Sequence, residues 1–482
     1  MQLKYARISV VMVILAAAVI CSGCSPKKME PPKTEAIEDG TVAPAEWGKV
    51  YPLQYKLWMQ TAEPTPAGKS KYKKGNDVGG RIDKLDEFPF LAVLYNGWGM
   101  GSEYTEPRGH QHMIQDQLDV DPGRYKAGGS CLTCKTPYAP TLEKRMGKAY
   151  FSTPYKEVLA GLPKDQQTLG VSCIDCHDSR GMALKISRGF TLGKALVKIG
   201  VDESKLTAKE KRTLVCAQCH VSYMITKDRE MHSTDVVFPW KNSKVGNIGI
   251  EGIIADIKSS PANLEWTQSV TGFKLGFIRH PEYELFSNNS PHWANDVSCA
   301  DCHMPTITVD GKQISDHRIM SPLKNDLVAC AACHNEKPQE LRLKVLAIQD
   351  DTMIVYLKAG YATATDAKLF EMANRVEASG KKIDKVLYAR AREQYEQALY
   401  RVIFIGAENS NGFHNPKETM RVLNDAVKYA ATADAELRKL LVQAGEKAPE
   451  KIDLELSKYV NNRGVKKIMF KPEHEITSPK VK

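Results

Sequence analysis

Five Cys-x-x-Cys pairs constrain this chain more than any other feature: Cys131/Cys134, Cys173/Cys176, Cys216/Cys219, Cys299/Cys302 and Cys330/Cys333. A histidine follows directly in four of them, as His177, His220, His303 and His334; the first, "GGSCLTCKTP", has Lys135 in that place. The only other cysteines, Cys21 and Cys24, lie near the N-terminus. The strict spacing with an immediate histidine is that of c-type haem attachment. Two thiols on one turn form thioethers with the haem vinyl groups, and the next residue reaches the iron. Two Cys₄ zinc sites are the competing use of such pairs, but four immediate histidines in an exported chain argue against them. A secreted chain without such a pattern would use its cysteines as disulfides.

Five covalent haems also determine what surrounds them. The pairs are unevenly spaced between residues 131 and 334, which excludes a tandem repeat array. The connecting segments are rich in turn formers, as in "SNNSPHWAND" and Met304-Pro305, and strand patterning is thin. Beyond residue 335 the pattern becomes helical. Leu387, Ala391, Tyr395, Ala398 and Val402 form one apolar stripe; Leu423, Val427, Ala430, Leu437 and Leu441 form another, interrupted by Asp434. These stripes can pack on their own domain or form a dimer interface. The expected fold is mainly α, with little strand. It is a multihaem cytochrome c fold with haems in the N-terminal two-thirds and long C-terminal helices. The expected organisation is a leader over 1–24, a flexible tether over 25–46, a pentahaem catalytic region over 47–340, a long-helix region and dimer interface over 341–450, and a tail over 451–482.

The first residues direct export. Lys4 and Arg7 precede the apolar run 8–20, and Cys21-Ser22-Gly23-Cys24 follows. That is a secretory signal, too short for a comfortable membrane span. Ser22-Gly23-Cys24 also resembles a lipoprotein cleavage box with Cys24 lipidated; plain cleavage is the alternative. A periplasmic location follows in either case. The net charge of +10 includes no long basic run, which argues against nucleic acid as a partner. Haem propionates, about two per haem, bring the sum near zero. Neither a Gly-rich phosphate loop nor a Ser/His/Asp arrangement stands out.

The lysine is the anomaly. Only the neutral amine coordinates a metal, and neutralising a lysine at pH 7 costs about 4.6 kcal/mol from its ordinary pKa. A site that accepts this cost differs in task from the other four. An electron-transfer haem has both axial positions filled, and a catalytic one keeps a position open. Twelve histidines less the four in motifs leave His110, His112, His232, His280, His292, His317, His414 and His474. Counting alone leaves open which of these bind iron.

One Cys-x-x-Cys-Lys followed by four Cys-x-x-Cys-His resembles the ammonia-forming pentahaem cytochrome c nitrite reductases, over roughly residues 50–445. The resemblance implies that the lysine-ligated haem is the active site, with nitrite bound on its open face. "CAQCHVSY" is similar to the segment whose tyrosine faces substrate, here Tyr223. "FIRHPEYE" is similar to the segment carrying the catalytic histidine, here His280. The active-site arginine matches Arg124 in "DPGRYKAGGSCLTCK", with Arg108 the second candidate. The implied distal ligands are His317 in "SDHRI" for the second haem, His110 in "EPRGH" for the third, His414 in "GFHNP" for the fourth and His292 in "NSPHW" for the fifth. Nine axial positions are then filled and one is open. His112, His232 and His474 are read as structural or surface residues.

One departure matters. Many members of that family hold calcium beside the active site through a glutamate and a glutamine, where this chain has Ser222 and Arg279. Calcium wants six to eight oxygen ligands, so no calcium is expected. The Arg279 side chain is expected in its place, as in a calcium-independent branch of the family; the alternative is that Arg279 points to solvent. The resemblance further implies a homodimer and a membrane-bound quinol-oxidising cytochrome, or another carrier, as electron donor. A multihaem carrier without catalysis, and an enzyme acting on hydroxylamine or sulfur oxyanions, are the competing functions.

Overall fold

The computed structural model describes residues 37–464, apart from 65–71, 73–76, 78–79, 126 and 242. The expected leader with Cys21 and Cys24, and His474, lie outside the described residues. Strand is confined to three antiparallel ribbons: β1 (Met224–Lys227) with β2 (Ser233–Val237), β3 (Trp266–Thr267) with β4 (Lys274–Leu275), and β5 (Thr306–Val309) with β6 (Lys312–Ser315). The rest of the described backbone is helix and loop, as expected of a mainly α multihaem cytochrome.

The haem motifs sit on single turns. Cys173–Cys176 and Cys299–His303 are one-turn helices, and both start in the same way. The N–H of Ser172 donates to Asp175 at 2.7 Å, and that of Ser298 to Asp301 at 2.7 Å. The string Ser-Cys-x-Asp-Cys-His is thus a capping box around the haem cysteines. A longer helix, Ala208–Ala217, begins at a Thr207/Glu210 capping box and carries Cys216 at its end. The first and last motifs lie on 3₁₀ turns, Gly129–Leu132 and Cys330–Ala332.

Three long helices follow: Pro338–Ala378, Lys385–Ala407 and Pro416–Gln443. Proline at N1 starts the first and third, since its missing N–H has no intrahelical partner there anyway. Asp384 caps the second by accepting from the N–H groups of Val386 and Leu387. The first helix spans about 60 Å at 1.5 Å per residue. It is tied to the haem-bearing region at Gly360, which faces the Phe90 ring so closely that a β-carbon there would lie 2.2 Å away. Tyr356 meets both Phe88 and Phe90 edge-on.

Three features bear on the expected organisation. Leu387, Ala391, Tyr395, Ala398 and Val402 are all buried within the chain, as are Leu423, Ala430, Leu437 and Leu441. The stripes therefore serve the chain's own core. Asp434, which interrupts the second stripe, pairs with Arg438 at 2.6 Å. The tether ends earlier than residue 46: Ile37 and Trp47 are buried, and the Trp47 indole donates to the Thr41 carbonyl at 2.9 Å. The tail is folded up to residue 464. Helix Leu456–Asn461 buries Tyr459 and Val460, and Arg463 forms a buried ion pair with Asp83.

Candidate functional site

The structure brings eight histidines together in four facing pairs. Ring centroids lie 6.3 Å apart for His177 and His317, 6.4 Å for His220 and His110, 6.2 Å for His303 and His414, and 6.4 Å for His334 and His292. Edge-on ring packing spans the same range, and what distinguishes these four pairs is that imidazole faces imidazole each time at one nearly constant distance. An iron with metal–nitrogen distances like those of zinc–imidazole sites sets the centroids about 6.3 Å apart. Each pair joins a motif histidine to one from a distant segment. Several rings are oriented through Nδ1, which leaves Nε2 for a metal. His177 Nδ1 lies 2.9 Å from the Met182 carbonyl, His303 Nδ1 3.0 Å from that of Met320, and His317 Nδ1 2.8 Å from that of Ser315.

None of the ten motif cysteines is paired in a disulfide. Cys134 lies within hydrogen-bond reach of Cys219, and Cys216 of Cys299. The first motif thus abuts the third, and the third the fourth. Among the described residues no three cysteines converge as a zinc site would require; the one metal-sized cluster is the exposed trio Asp228, Glu230 and His232 on the β1–β2 turn.

The fifth motif is the least enclosed of the five. Cys333 is exposed, whereas the other nine motif cysteines are partly buried. The reason is local: Cys333 ends the short turn Cys330–Ala332, and Ala331, Ala332 and His334 beside it are exposed as well. Among the described residues no segment covers Cys333. A thiol that a thioether bond consumes needs no burial of its own, and His334 still faces His292. The assignment of Cys333 as a haem cysteine therefore rests on motif spacing and the facing imidazoles, not on enclosure.

Paired thiols on a turn, each followed by a ring whose partner waits across an iron-sized gap, fit covalent haem. His177, His220, His303 and His334, with their partners, are the residues that would hold four of five.

The lysine motif has different neighbours. Tyr223 is buried, within the electrostatic reach of Cys131 and Cys134. Burial pushes its phenol pKa up, and the Arg279 charge opposes this. His280 adopts φ +48°, a left-handed conformation that a non-glycine residue holds only under the constraint of its surroundings. Its pKa is lowered to about 3, first by burial and then by His220, Lys135, Lys84 and Arg279. A neutral imidazole beside Lys135 follows.

Arg279 is buried, at 6% exposure. It donates to the Tyr223 carbonyl at 3.1 Å and makes a two-pronged contact with Glu265 at 2.9 and 2.5 Å. Its guanidinium lies 5.0 Å from the Tyr223 ring centroid and 5.3 Å from those of Trp98 and Phe277. The β3–β4 ribbon explains the geometry: Glu265 enters it, Arg279 leaves it, and the turn between brings them face to face. Ser222 is buried, and its N–H donates to Glu284.

The two arginine candidates differ. Arg108 is engaged by Asp116, at 2.7 Å through Nε and 2.6 Å through the second nitrogen. Arg124, on the turn Pro122–Arg124, donates to the backbone carbonyl of Glu103 at 3.2 Å. Its positive charge is thus the less committed of the two. Of the histidines without an expected ligand role, His112 contacts the Ala62 carbonyl at 2.7 Å and His232 pairs with Asp228 on the surface. Sequence reasoning missed Glu265, and also the buried Lys84–Glu106 ion pair at 3.0 Å. No local pattern marks either acid, because each partner comes from a separate segment.

Fold and site together define a multihaem c-type cytochrome. The family model described as cytochrome c552 matches residues 43–482, and the chain belongs to that family. It is 30% identical over 436 residues to cytochrome c-552 of Bacteroides fragilis, covering 86% of this chain and 82% of that one. It is 30% identical over 450 residues to the cytochrome c nitrite reductase subunit NrfA of Nitratidesulfovibrio vulgaris, covering 87% and 83%. Among solved structures, the cytochrome c nitrite reductase of Desulfovibrio desulfuricans superposes with a TM-score of 0.75 at 27% identity, over 91% of this chain and 94% of that one. That protein is described as having two calcium sites in its catalytic subunit.

Proposed function

We propose that this protein is a cytochrome c nitrite reductase that converts nitrite to ammonium with six electrons. The reaction takes place at the haem held by Cys131, Cys134 and Lys135, and four bis-histidine haems feed it. The observation that carries the reading is the set of four facing imidazole pairs, none of which includes the lysine motif. Lys135 would hold the fifth haem through its amine, and no facing imidazole pair is formed at that motif. When bound, that haem supplies an open coordination position and the electrons.

The chain's own residues do the rest. Arg124 and the neutral His280 donate hydrogen bonds to the two oxygens of the anion, where negative charge grows as the N–O bonds weaken. His280 relays protons through its ring, taking one from solvent at one nitrogen as it gives one from the other. Tyr223, held through its carbonyl by Arg279, orders the pocket and relays a proton. Arg279 takes the position that calcium has in relatives. Its two-pronged bond to Glu265 keeps it there, and it supplies fixed positive charge without a metal. The remaining parts of the proposal are export to the periplasm, anchoring through Cys24, a homodimer, and a quinol-oxidising membrane cytochrome as donor.

Nitrite-to-ammonium turnover with reduced viologen dye, run with haem quantification, is the test. Ammonium equal to nitrite consumed, with five haems per chain, is expected. Five haems without turnover, and with every iron closed to cyanide and nitrite, would make the protein an electron carrier. Preference for hydroxylamine or sulfite over nitrite would make it a different enzyme.

A further inference from the structure

Among the eight paired imidazoles, His414 has a partner of a different kind. His177, His303 and His317 turn Nδ1 toward backbone carbonyls. His334 lies 3.7 Å from the half-exposed Glu336, and His220 lies 4.0 Å from Glu282. His414 Nδ1 lies 2.6 Å from Oε1 of Glu408, whose side chain is fully buried. The contact is out of line for a hydrogen bond and acts through the nearness of the carboxylate charge to the ring.

The carboxylate is held ready for this role. Glu408 accepts from the Ser410 N–H at 2.8 Å, the Ser410 hydroxyl at 2.9 Å and the Gly412 N–H at 3.2 Å. The Ser410 oxygen in turn accepts from the His414 N–H at 2.8 Å. Residues 408–414 thus close on themselves between the second and third long helices, with the acid and the imidazole at the two ends of one loop. Three donors on a buried carboxylate favour its charged form. A buried anion against the far nitrogen of a ligating imidazole raises ligand basicity and stabilises the more positive, ferric state of the metal.

We infer that Glu408 is a positioning residue that lowers the reduction potential of the haem shared by His303 and His414. The fourth motif adjoins the third through Cys216 and Cys299 and the fifth through Cys302, Cys330 and Cys333, so the lowered potential falls on a haem that would stand between two others. The inference rests on the reading that these two histidines ligate one iron. The other pairs lack a buried, fully held carboxylate at this distance, so the effect is confined to a single haem.

The test is a spectroelectrochemical titration of the holoenzyme and of Glu408→Gln, which keeps the shape and removes the charge. One of the five waves should move to higher potential while haem content and the other four waves stay unchanged. Five unmoved waves would overturn the inference. If Glu408→Gln does not fold, Ser410→Ala decides. It removes a donor that holds the carboxylate in its charged form, so the same wave should move up, by less than in Glu408→Gln, and no movement overturns the inference. His414→Ala separates this inference from the ligand reading on which it rests. One low-spin haem should become high-spin. If none does, the ligand reading falls and takes this inference with it. If one does while Glu408→Gln moves no wave, only the role of Glu408 falls.

Discussion

The single residue that most distinguishes this site is Arg279. Removing its charge leaves Glu265 buried and unpaired, which typically costs 3–5 kcal/mol. Arg279→Gln should therefore lower the midpoint of thermal unfolding and loosen the Tyr223 carbonyl it holds. The native enzyme should keep its nitrite turnover after exhaustive chelation, and metal analysis should find no stoichiometric calcium; loss of activity that calcium restores would remove Arg279 from this role. His280→Asn should lower turnover by roughly 10²–10⁴-fold, the usual contribution of a positioned proton donor, with all five haems attached. Full turnover in that variant would move the proton donor elsewhere. Glu284 offers a pH test. Burial raises its pKa to about 8, and in the folded state it accepts from the Trp240 indole and the Ser222 N–H. Its stabilising effect is complete below the unfolded carboxyl pKa, about 4.3, and is lost as pH rises through 8. Unfolding midpoints of Glu284→Gln should fall less steeply over that window than those of the native protein.

At the scale of elements, the haem turns and the long helices obey different rules. The haem turns need little burial of their own, because capping boxes and covalent bonds hold them; the exposed Cys333 is the extreme case. The helices depend on packing. Gly360 allows the first long helix to approach the Phe90 ring, and Gly360→Ala places a methyl group where the ring lies. Overpacking of this kind costs about 1–3 kcal/mol, more than the helix propensity regained. A denaturant titration of the holoenzyme should show that loss, and an unchanged midpoint would mean the ring moves aside freely. The apolar stripes of the later helices were legible as helix but ambiguous in their target. Periodicity reports that a face is apolar; which surface covers it depends on segments far away in the chain.

For the whole molecule, the four imidazole gaps mean that much of the N-terminal two-thirds is built around groups that are not protein. Chain made in cells lacking cytochrome c maturation should fail to reach the native state. Circular dichroism should show it depleted of helix, and proteolysis should remove it quickly. A protease-resistant, fully helical apo-chain would show that the helices fold without the haems. The Cys-x-x-Cys-His and Cys-x-x-Cys-Lys motifs could be read directly, because thioether attachment and the proximal ligand lie within five consecutive residues. The mainly helical character is equally local. Which imidazole faces which, by contrast, is a relation between segments: His110 lies opposite His220, and His292 opposite His334. Only a resemblance suggested those pairings in advance, and nothing suggested the carboxylates Glu265 and Glu408. A buried charge needs a partner in space, and its neighbours in the chain carry no record of where that partner will come from. Attachment chemistry is local and so is written in the chain; the electrostatic surroundings of each haem belong to the folded molecule.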